Sequence, residues 1–327
     1  MVVTPGSDAA RGLWLGLLGV AIFAMTLPAT RLAVGDAAWP QLPPGFVTVG
    51  RAALAGLLAG SYLLWARARL PGRHLWPAIV VCALGTVLGF PLGLALALRE
   101  VPAMHAAVVT GVLPLATAAA AALWMRQRAS LGFWLCAVLG CASVVVFAAW
   151  VGDGGLHLAD VYLLLAVVCA AVGYVAGARV SQELPAQHTI SWVLLLALPL
   201  TLPAALWLAP WGGWAAVRVS AWAGFVYVSV FSMWLGFFAW YHALAVGGVM
   251  RVSQLQLLQP FLALLMAVPV LGEPLEARTL GFALLVVAIV ALGKRMPVSA
   301  PPAPPTPAEP ATPATPAPSP LSPQGPR

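Results

Sequence analysis

The sequence predicts an all-α membrane protein, with ten transmembrane helices arranged as two inverted five-helix repeats. Three observations support this prediction: an apolar composition, ten apolar runs of membrane-spanning length, and a segment that recurs at half the length of the chain. Of the 327 residues, 62% are hydrophobic and 8% are charged, whereas soluble domains carry about 25% charged residues. So little charge cannot cover a water-facing surface, and we therefore expect a lipid bilayer around the protein.

The apolar runs are each close to the length at which a helix crosses the hydrocarbon core, about 20 residues. In chain order they cover residues 12–34, 45–66, 75–97, 102–124, 131–151, 158–180, 188–209, 221–243, 250–271 and 277–295. The first run follows Arg11 as a secretory signal would. Its apolar character continues past Thr26 without a clear cleavage site, so we interpret it as a retained helix.

A recurring segment divides the chain into two halves. Residues 98–127 align without a gap on residues 244–273 at an offset of 146, which brings Met104 onto Met250 and Pro114 onto Pro260. We therefore expect one repeat over residues 12–151 and a second over residues 158–295. Because an odd number of spans returns the chain to the opposite face, the second repeat is predicted to be inserted upside down, as in transporters.

Basic residues set the predicted orientation. With residues 1–11 in the cytoplasm, most Lys and Arg residues fall on the cytoplasmic side, which is the positive-inside pattern. The formal net charge of +7 is thus explained by membrane topology, and we expect no binding of nucleic acid. The cytoplasmic membrane is the predicted location, with both termini in the cytoplasm.

The C-terminal segment, residues 297–327, differs in character from the rest. Thirteen of its 31 residues are proline, with Ala, Thr and Ser between them. Such a segment cannot bury a core, so we expect a disordered tail with polyproline II tendency. A dispensable tail and a ligand for a proline-binding module are both open interpretations.

Enzyme and metal motifs are missing from the sequence. It contains no HExxH, no GxSxG and no phosphate-binding loop, and its acidic residues are too dispersed for a metal site. The four cysteines lie inside apolar runs without CxxC spacing and are interpreted as buried apolar residues. We therefore expect no enzymatic activity, no cofactor and no metal.

A few polar side chains inside the spans are candidates for binding a substrate. Arg51 lies about seven residues into the second span, where it is either an anchor for an anion or a partner for a helix end. Gln256 and Gln259 share a helical face, and an amide can both donate and accept. Thr26 and Thr110 lie near proline bends and complete the polar set.

An aromatic stripe, Trp234, Phe238 and Tyr241, occupies one face of the eighth span by its i, i+4, i+7 spacing. Two interpretations are open: the stripe faces lipid, or it forms the apolar wall of a central cavity. The hydroxyl of Tyr241 needs a partner away from hydrocarbon, which favours the cavity for that residue. Trp234 and Tyr241 are accordingly included among the candidates for the substrate site.

Two histidines and three prolines are candidates for coupling and motion. His105 and His242 lie close to span ends and are either interfacial side chains or proton carriers. Pro28, Pro114 and Pro260 lie within spans, where each frees a carbonyl group and permits a bend. These bends are either hinges for alternating access or static kinks that serve packing.

Gly85, Gly89 and Gly93 recur every four residues in the third span. In lipid, small residues at this spacing let helix backbones approach closely. Packing is the favoured interpretation, and a groove for a ligand is the alternative.

These features together resemble the EamA-type carriers of the drug/metabolite transporter superfamily. The resemblance runs from about residue 12 to residue 295, in two copies. The segments that carry it are FAMTLPATRLA (23–33), TVGRAALAG (48–56), AMHAAVVTGVLPLATAAAAALW (103–124) and QPFLALLMAVPVLGEPL (259–275). The resemblance implies ten helices, inverted repeats and movement of small metabolites, often the export of amino acids or related compounds.

The family's repeat motif ends in Gly-Glu, which Gly272 and Glu273 match in the second copy. The first copy departs from the motif, because its aligned residues are Arg126 and Gln127. Any role of a first-copy glutamate is therefore absent from this chain.

The sequence as a whole predicts a secondary-active, alternating-access transporter that exports small polar metabolites and is surrounded by membrane lipid. A lipid or polyprenyl-carrier flippase is the first alternative, since the same fold could support it. A membrane enzyme acting on lipids is a weaker alternative because no polar catalytic cluster is visible.

Overall fold

Helices dominate the computed structural model, which describes residues 5–124, 128–151, 157–247, 253–296 and 298–299. The α-helices are α1 (Pro5–Ala24), α2 (Thr26–Val34), α3 (Pro44–Trp65), α4 (Trp76–Cys82), α5 (Phe90–Glu100), α6 (Ala103–Thr110), α7 (Leu113–Trp124), α8 (Leu131–Val151), α9 (Leu158–Val180), α10 (Ala186–Leu208), α11 (Val219–Tyr227), α12 (Gly236–Gly247), α13 (Gln259–Leu271) and α14 (Ala277–Arg295). The predicted all-α class is confirmed.

Seven helical segments within these ranges are long and apolar enough to cross a membrane. They are Gly12–Val34, Pro44–Trp65, Arg73–Glu100, Ala103–Trp124, Leu158–Val180, Ala186–Leu208 and Val219–Trp240. Three shorter apolar helices cover Leu131–Phe147, Leu255–Leu271 and Ala277–Gly293. Each predicted run overlaps one of these segments, while the crossing of the bilayer by all ten stays a prediction.

The two halves share local structure that the sequence alignment did not reveal. Two π-helical segments, Ala83–Gly89 and Val228–Leu235, occupy equivalent positions at the offset of 146. The starts of α5, α7 and α8 recur at the same offset in the starts of α12, α13 and α14. A π turn is rare and disturbs helical hydrogen bonding, so its recurrence indicates that both halves inherited one structure.

Contacts between the halves are reciprocal. α1 packs against α12, and its repeat equivalent α9 packs against α5. Two further pairs join helices that are equivalent to each other: α3 with α10, and α8 with α14. Reciprocal contacts of this kind are what a two-fold relation between similar units produces.

The glycine stripe of the third span serves packing, as the favoured interpretation predicted. A Cβ atom on Gly85 would lie 2.4 Å from the carbonyl oxygen of Cys169 and 2.9 Å from the Cα atom of Gly173. A Cβ atom on Gly93 would lie 2.6 Å from the carbonyl oxygen of Tyr162. Larger side chains would therefore separate the third span from α9.

Breaks in three spans coincide with the predicted bends. Because proline has no N–H, the carbonyl group four residues earlier loses its helical partner. α1 accordingly ends at Ala24, four residues before Pro28, and α6 ends at Thr110, four residues before Pro114. The predicted ninth span is divided as well, since a 3₁₀ segment, Ser253–Leu258, precedes α13 and its Pro260.

Exposed tryptophans lie at both ends of the helical bundle. We call these ends the Pro102 end and the Trp124 end, after the residues at the two ends of the fourth span. Trp39, Trp150, Trp207 and Trp211 lie at the Pro102 end, whereas Trp14, Trp65 and Trp124 lie at the opposite, Trp124 end. Tryptophan is enriched where hydrocarbon meets headgroups. Their arrangement in two belts supports a membrane-embedded bundle.

Two details differ from the predicted boundaries. The third span continues as helix through Arg99 to Glu100, beyond the predicted end at residue 97. The first residues after the last helix also have structure, because Val298–Ser299 pairs antiparallel with Arg128–Ala129. The rest of the predicted disordered tail lies outside the described residues.

Candidate functional site

Two adjoining chambers, of about 250 Å³ and about 50 Å³, lie between the repeats. Both are lined by Phe23, Leu27, Thr110, Leu113, Tyr174 and Gln259. The larger chamber adds Ala107, Gly111, Pro114, Thr117, Ala118, Ala121, Gln256 and Pro260. The smaller chamber adds Thr26, Arg51, Thr86, Phe90, Leu94, Ser232, Met233 and Phe237. The described lining comes from spans one to four, six, eight and nine.

Equivalent positions of the two repeats meet across the chambers. Four lining pairs are separated by the repeat offset of 146: Thr86 and Ser232, Thr110 and Gln256, Leu113 and Gln259, and Pro114 and Pro260. The pseudo-two-fold relation between the repeats therefore passes through the cavity. Binding sites of inverted-repeat transporters lie at this place, near the middle of the membrane.

Arg51 is the charged group of the smaller chamber. Its side chain belongs to α3 and is 3% exposed. One terminal nitrogen, Nη2, donates to the hydroxyl oxygen of Ser232 at 3.1 Å, and that hydroxyl lies 2.8 Å from the hydroxyl of Thr26. The other two nitrogens, Nε and Nη1, are buried and have no hydrogen-bond partner among the described residues. The predicted candidates Thr26 and Arg51 thus meet in one network.

The π-helical segments position hydroxyl groups on this network. Ser232 belongs to the segment Val228–Leu235, and its equivalent Thr86 belongs to Ala83–Gly89. Both hydroxyl residues line the smaller chamber. π turns often occur at functional sites, which agrees with their occurrence here in both walls of the cavity.

The predicted amides lie on the larger chamber. Gln256 comes from the 3₁₀ segment and Gln259 from the first turn of α13. Thr110, the sequence equivalent of Gln256, faces the same space from α6 while its hydroxyl donates to the carbonyl oxygen of Ala106 at 2.7 Å.

Trp234, the first residue of the aromatic stripe, packs outside the two chambers. Its Nε1 donates to the hydroxyl of Ser191 at 3.1 Å, and its ring packs against Phe238 and Tyr62. It lines neither chamber, and the apolar wall is supplied instead by Phe23, Phe237 and Tyr174. The side chain of the other aromatic candidate, Tyr241, lies outside what the structure describes.

Tyr174 is one of the lining residues that sequence reasoning missed. It faces both chambers from α9, next to Gly173, which packs against the third span. A polar aromatic residue within an apolar span is a usable signal, because its hydroxyl group requires a partner or a cavity.

His105 is buried in a pair with an acidic residue. Its Nε2 lies 2.7 Å from an Asp160 oxygen, with side-chain exposures of 5% and 2%. The second Asp160 oxygen accepts the backbone N–H of His157 at 2.9 Å, and the His105 ring packs on Phe147. Asp160 lies in the first turn of α9 and is buried. His242 is partly buried and lines neither chamber.

The Gly-Glu motif fastens the repeats together at the Pro102 end. Gly272 ends α13 with a left-handed φ of 70°, a conformation that glycine adopts readily. The next residue, Glu273, accepts the backbone N–H groups of Ala103 and Met104 at 2.8 and 2.9 Å. A carboxylate thereby caps α6 of the other repeat. The first-copy equivalents of this motif, Arg126 and Gln127, lie outside the described residues.

Comparison with known proteins agrees with this architecture. The model of the EamA-like transporter family matches the chain twice, over residues 10–149 and 157–293. A relative from Bacillus subtilis (strain 168), described as "Uncharacterized transporter YdeK", is 43% identical over 283 residues, covering 86% of this chain and 96% of that protein. One crystal structure matches 87% of this chain and 98% of its own with a TM-score of 0.57. At 20% identity that likeness shows the fold alone.

The family matches fall one on each repeat, and they contain all the residues described above as lining the chambers. Together with the multiple apolar helices, they identify a multi-pass membrane transporter. The chain therefore belongs to the EamA-like transporter family.

Proposed function

We propose that this protein is a secondary-active carrier in the cytoplasmic membrane, which exports small polar metabolites by alternating access, with both termini in the cytoplasm. The observation that carries the proposal is the partly polar cavity through which the two-fold relation of the repeats passes. A site on such an axis can be exposed to either side when the repeats exchange conformations.

The distribution of contacts along the bundle supports one end being closed. At the Pro102 end, Glu273 caps α6, and an arginine of the first span, Arg31, donates to the carbonyl oxygen of Leu98. Toward the other end, the lining of the larger chamber continues along α7 through Thr117 to Ala121. With the predicted orientation, this arrangement corresponds to a cavity on the cytoplasmic side, ready to load an exported solute.

A lipid flippase is the alternative, and one feature bears on it. An apolar groove of about 980 Å³ lies on α7, α8 and α9, lined by residues such as Leu115, Trp134 and Val168. It shares no lining residue with the two chambers. A lipid headgroup at Arg51 with its acyl chain in this groove would have to pass across α7, so we favour a water-soluble solute.

Counterflow in proteoliposomes tests the proposal. Vesicles containing the full chain would be loaded with one unlabelled metabolite each, from a panel of amino acids and organic acids, and the labelled compound would be supplied outside. A carrier exchanges the two and accumulates label without any ion gradient. Failure of every compound to exchange, with folded protein in the vesicles, would contradict a metabolite carrier, and movement of labelled lipid instead would favour the flippase.

A matched pair of variants links exchange to the cavity. Gln256→Leu removes an amide from the larger chamber, and loss of one solute hydrogen bond should slow exchange about three- to tenfold. Gln182→Leu is the control, since Gln182 is exposed in the turn after α9. If exchange slowed equally in both variants, the result would contradict a role of this cavity in transport.

A further inference from the structure

Resting on the proposed function, we infer that the transported solute is an organic anion whose carboxylate binds Arg51 in the smaller chamber, with its neutral body in the larger chamber. The inference names the chemical class of the solute. It excludes zwitterions and cations as preferred substrates.

The charge of Arg51 lacks a counter-charge in the described part of the protein. No carboxylate lies within ion-pair distance of it among the described residues, and no Asp or Glu lines either chamber there. Guanidinium is always protonated in proteins and carries five donors. A buried unpaired charge is strongly unfavourable, so an anion entering the chamber gains both the charge interaction and the vacant Nε and Nη1 donors.

The hydroxyl groups around Arg51 also favour an acceptor. Ser232 accepts from Arg51, and a single contact of 2.8 Å joins the hydroxyl groups of Ser232 and Thr26. This contact uses one hydroxyl hydrogen, whichever residue donates it, and leaves the other hydrogen available. The network therefore presents a surplus of donors, which a carboxylate satisfies through its two oxygens.

The sizes of the two chambers indicate which part of the solute each one can hold. A chamber of about 50 Å³ has room for a few water molecules or for a group of carboxylate size, because a single water needs about 10–15 Å³ by this measure. The adjoining 250 Å³ must hold the rest. Phe23, Leu27 and Leu113 line the passage between the chambers, and no acidic group is present there to pair with an ammonium group.

Four compounds on one carbon skeleton test the charge preference. They are 3-phenylpropanoate, phenylalanine, 3-phenylpropanamide and 3-phenylpropylamine, which are anionic, zwitterionic, neutral and cationic at pH 7. Binding to the purified full chain in lipid nanodiscs would be measured by calorimetry and by thermal shift. We expect the anion to bind at least about tenfold more tightly than the amide, since hydrogen bonds to charged groups are the stronger ones. Equal binding of all four compounds, or preference for the zwitterion, would overturn the inference.

Variants assign the preference to Arg51. Arg51→Gln should reduce binding of the anion to about the level of the amide, and the thermal unfolding transition of the ligand-free variant reports whether it is folded. Arg179→Gln is the matched control, because Arg179 is exposed near the end of α9. If Arg51→Gln fails to fold, Ser232→Ala is the milder change in the same network, and it should weaken binding of the anion several-fold. Unchanged anion affinity in Arg51→Gln, or in Ser232→Ala where Arg51→Gln is unfolded, would refute the site.

Two further measurements are needed. One distinguishes an organic carboxylate from inorganic phosphate as the bound anion, and the other distinguishes failure of the anion site from failure of the carrier function. Inorganic phosphate that binds as tightly as 3-phenylpropanoate and displaces it would replace the organic carboxylate with a small inorganic anion, and would overturn the inference. Weak phosphate binding supports it. Binding without counterflow contradicts the carrier but keeps the anion site, whereas counterflow that is insensitive to Arg51→Gln keeps the carrier and contradicts the anion site.

Discussion

Replacing Glu273 with glutamine should release the N-terminus of α6 at the Pro102 end. The first N–H groups of a helix have no partner within the helix. In this protein Ala103 and Met104 donate theirs to the two oxygens of Glu273, at 2.8 and 2.9 Å. The pair of bonds crosses from the second repeat to the first, so its loss acts on the contact between repeats as well as on the helix.

The magnitude follows from the change in charge. Glutamine keeps one oxygen acceptor but loses the charge, and hydrogen bonds to charged groups contribute about 1.5–3 kcal/mol against about 0.5–1.5 kcal/mol for neutral ones. Interaction of a carboxylate with the helix dipole adds about 0.3–1 kcal/mol. We therefore expect a loss of about 1–2 kcal/mol, which corresponds to about a five- to thirtyfold change in an opening equilibrium.

Hydrogen exchange measures this opening directly. In Glu273→Gln, the amide hydrogens of Ala103 and Met104 should exchange about five- to thirtyfold faster, while those in the middle of α9 keep their rates. Glu276→Gln is the control: the hydrogen bond from Arg278 lowers the pKa of the Glu276 carboxyl, so this variant also removes a negative charge from the same connection. Unchanged exchange at residues 103–104 in Glu273→Gln, or equal acceleration in the control, would refute the capping argument.

Two other predictions concern packing and the buried contact between His105 and Asp160. Gly85→Ala would bring a methyl group 2.4 Å from the carbonyl oxygen of Cys169 and should lower the free energy of unfolding in mixed micelles by about 1–3 kcal/mol. Gly281→Ala, where nothing lies within 4 Å, should instead raise it by about 0.5–1 kcal/mol. In a double-mutant cycle, His105→Leu and Asp160→Leu should each destabilise by about 1–3 kcal/mol, because each leaves a buried polar atom of the other residue without this hydrogen bond. The double variant should lose clearly less than the sum, and strict additivity would contradict the pair.

Most of the fold could be predicted from the sequence because it depends on length, polarity and repetition. Each predicted apolar run overlaps an apolar helical segment of the structure, and the prolines mark the breaks. Part of the site was also predictable: Thr26, Arg51, Thr110, Gln256 and Gln259 all line the chambers. Polar groups are unfavourable in hydrocarbon, so their presence inside a span points to an internal cavity.

The aromatic stripe shows that helical spacing predicts which side chains share a face, but not what that face contacts. The spacing placed Trp234 and Phe238 on one face, and their ring centroids do lie 5.0 Å apart. What this face contacts depends on packing between distant segments. Trp234 donates to Ser191, whereas Phe237 lines the smaller chamber.

The buried contact between His105 and Asp160 could not be predicted because it depends on packing between distant segments. Asp160 lies in the first turn of α9. Its second oxygen accepts the N–H of His157 in a capping box at the start of α9, which holds the carboxylate against the helix end. His105 then reaches it from α6, 55 residues earlier in the chain. The sequence of α6 does not indicate that it will contact the start of α9, and the sequence of α9 does not indicate a contact with α6.

The departures from symmetry follow a physical pattern. The helix α10, which is the equivalent of α3, contains no arginine or lysine to match Arg51, and Glu273 aligns with Gln127 in the first repeat. Because repeats that exchange conformations also exchange their contacts, a glutamine would occupy the capping position at the opposite end, where its neutral amide holds a helix end less strongly than a carboxylate. Under the proposed alternating access, we expect closure of the Pro102 end to be the more stable of the two closures in the absence of solute. No second arginine is among the described residues that line the chambers, so we expect an anionic solute to bind with one preferred direction of its charged group.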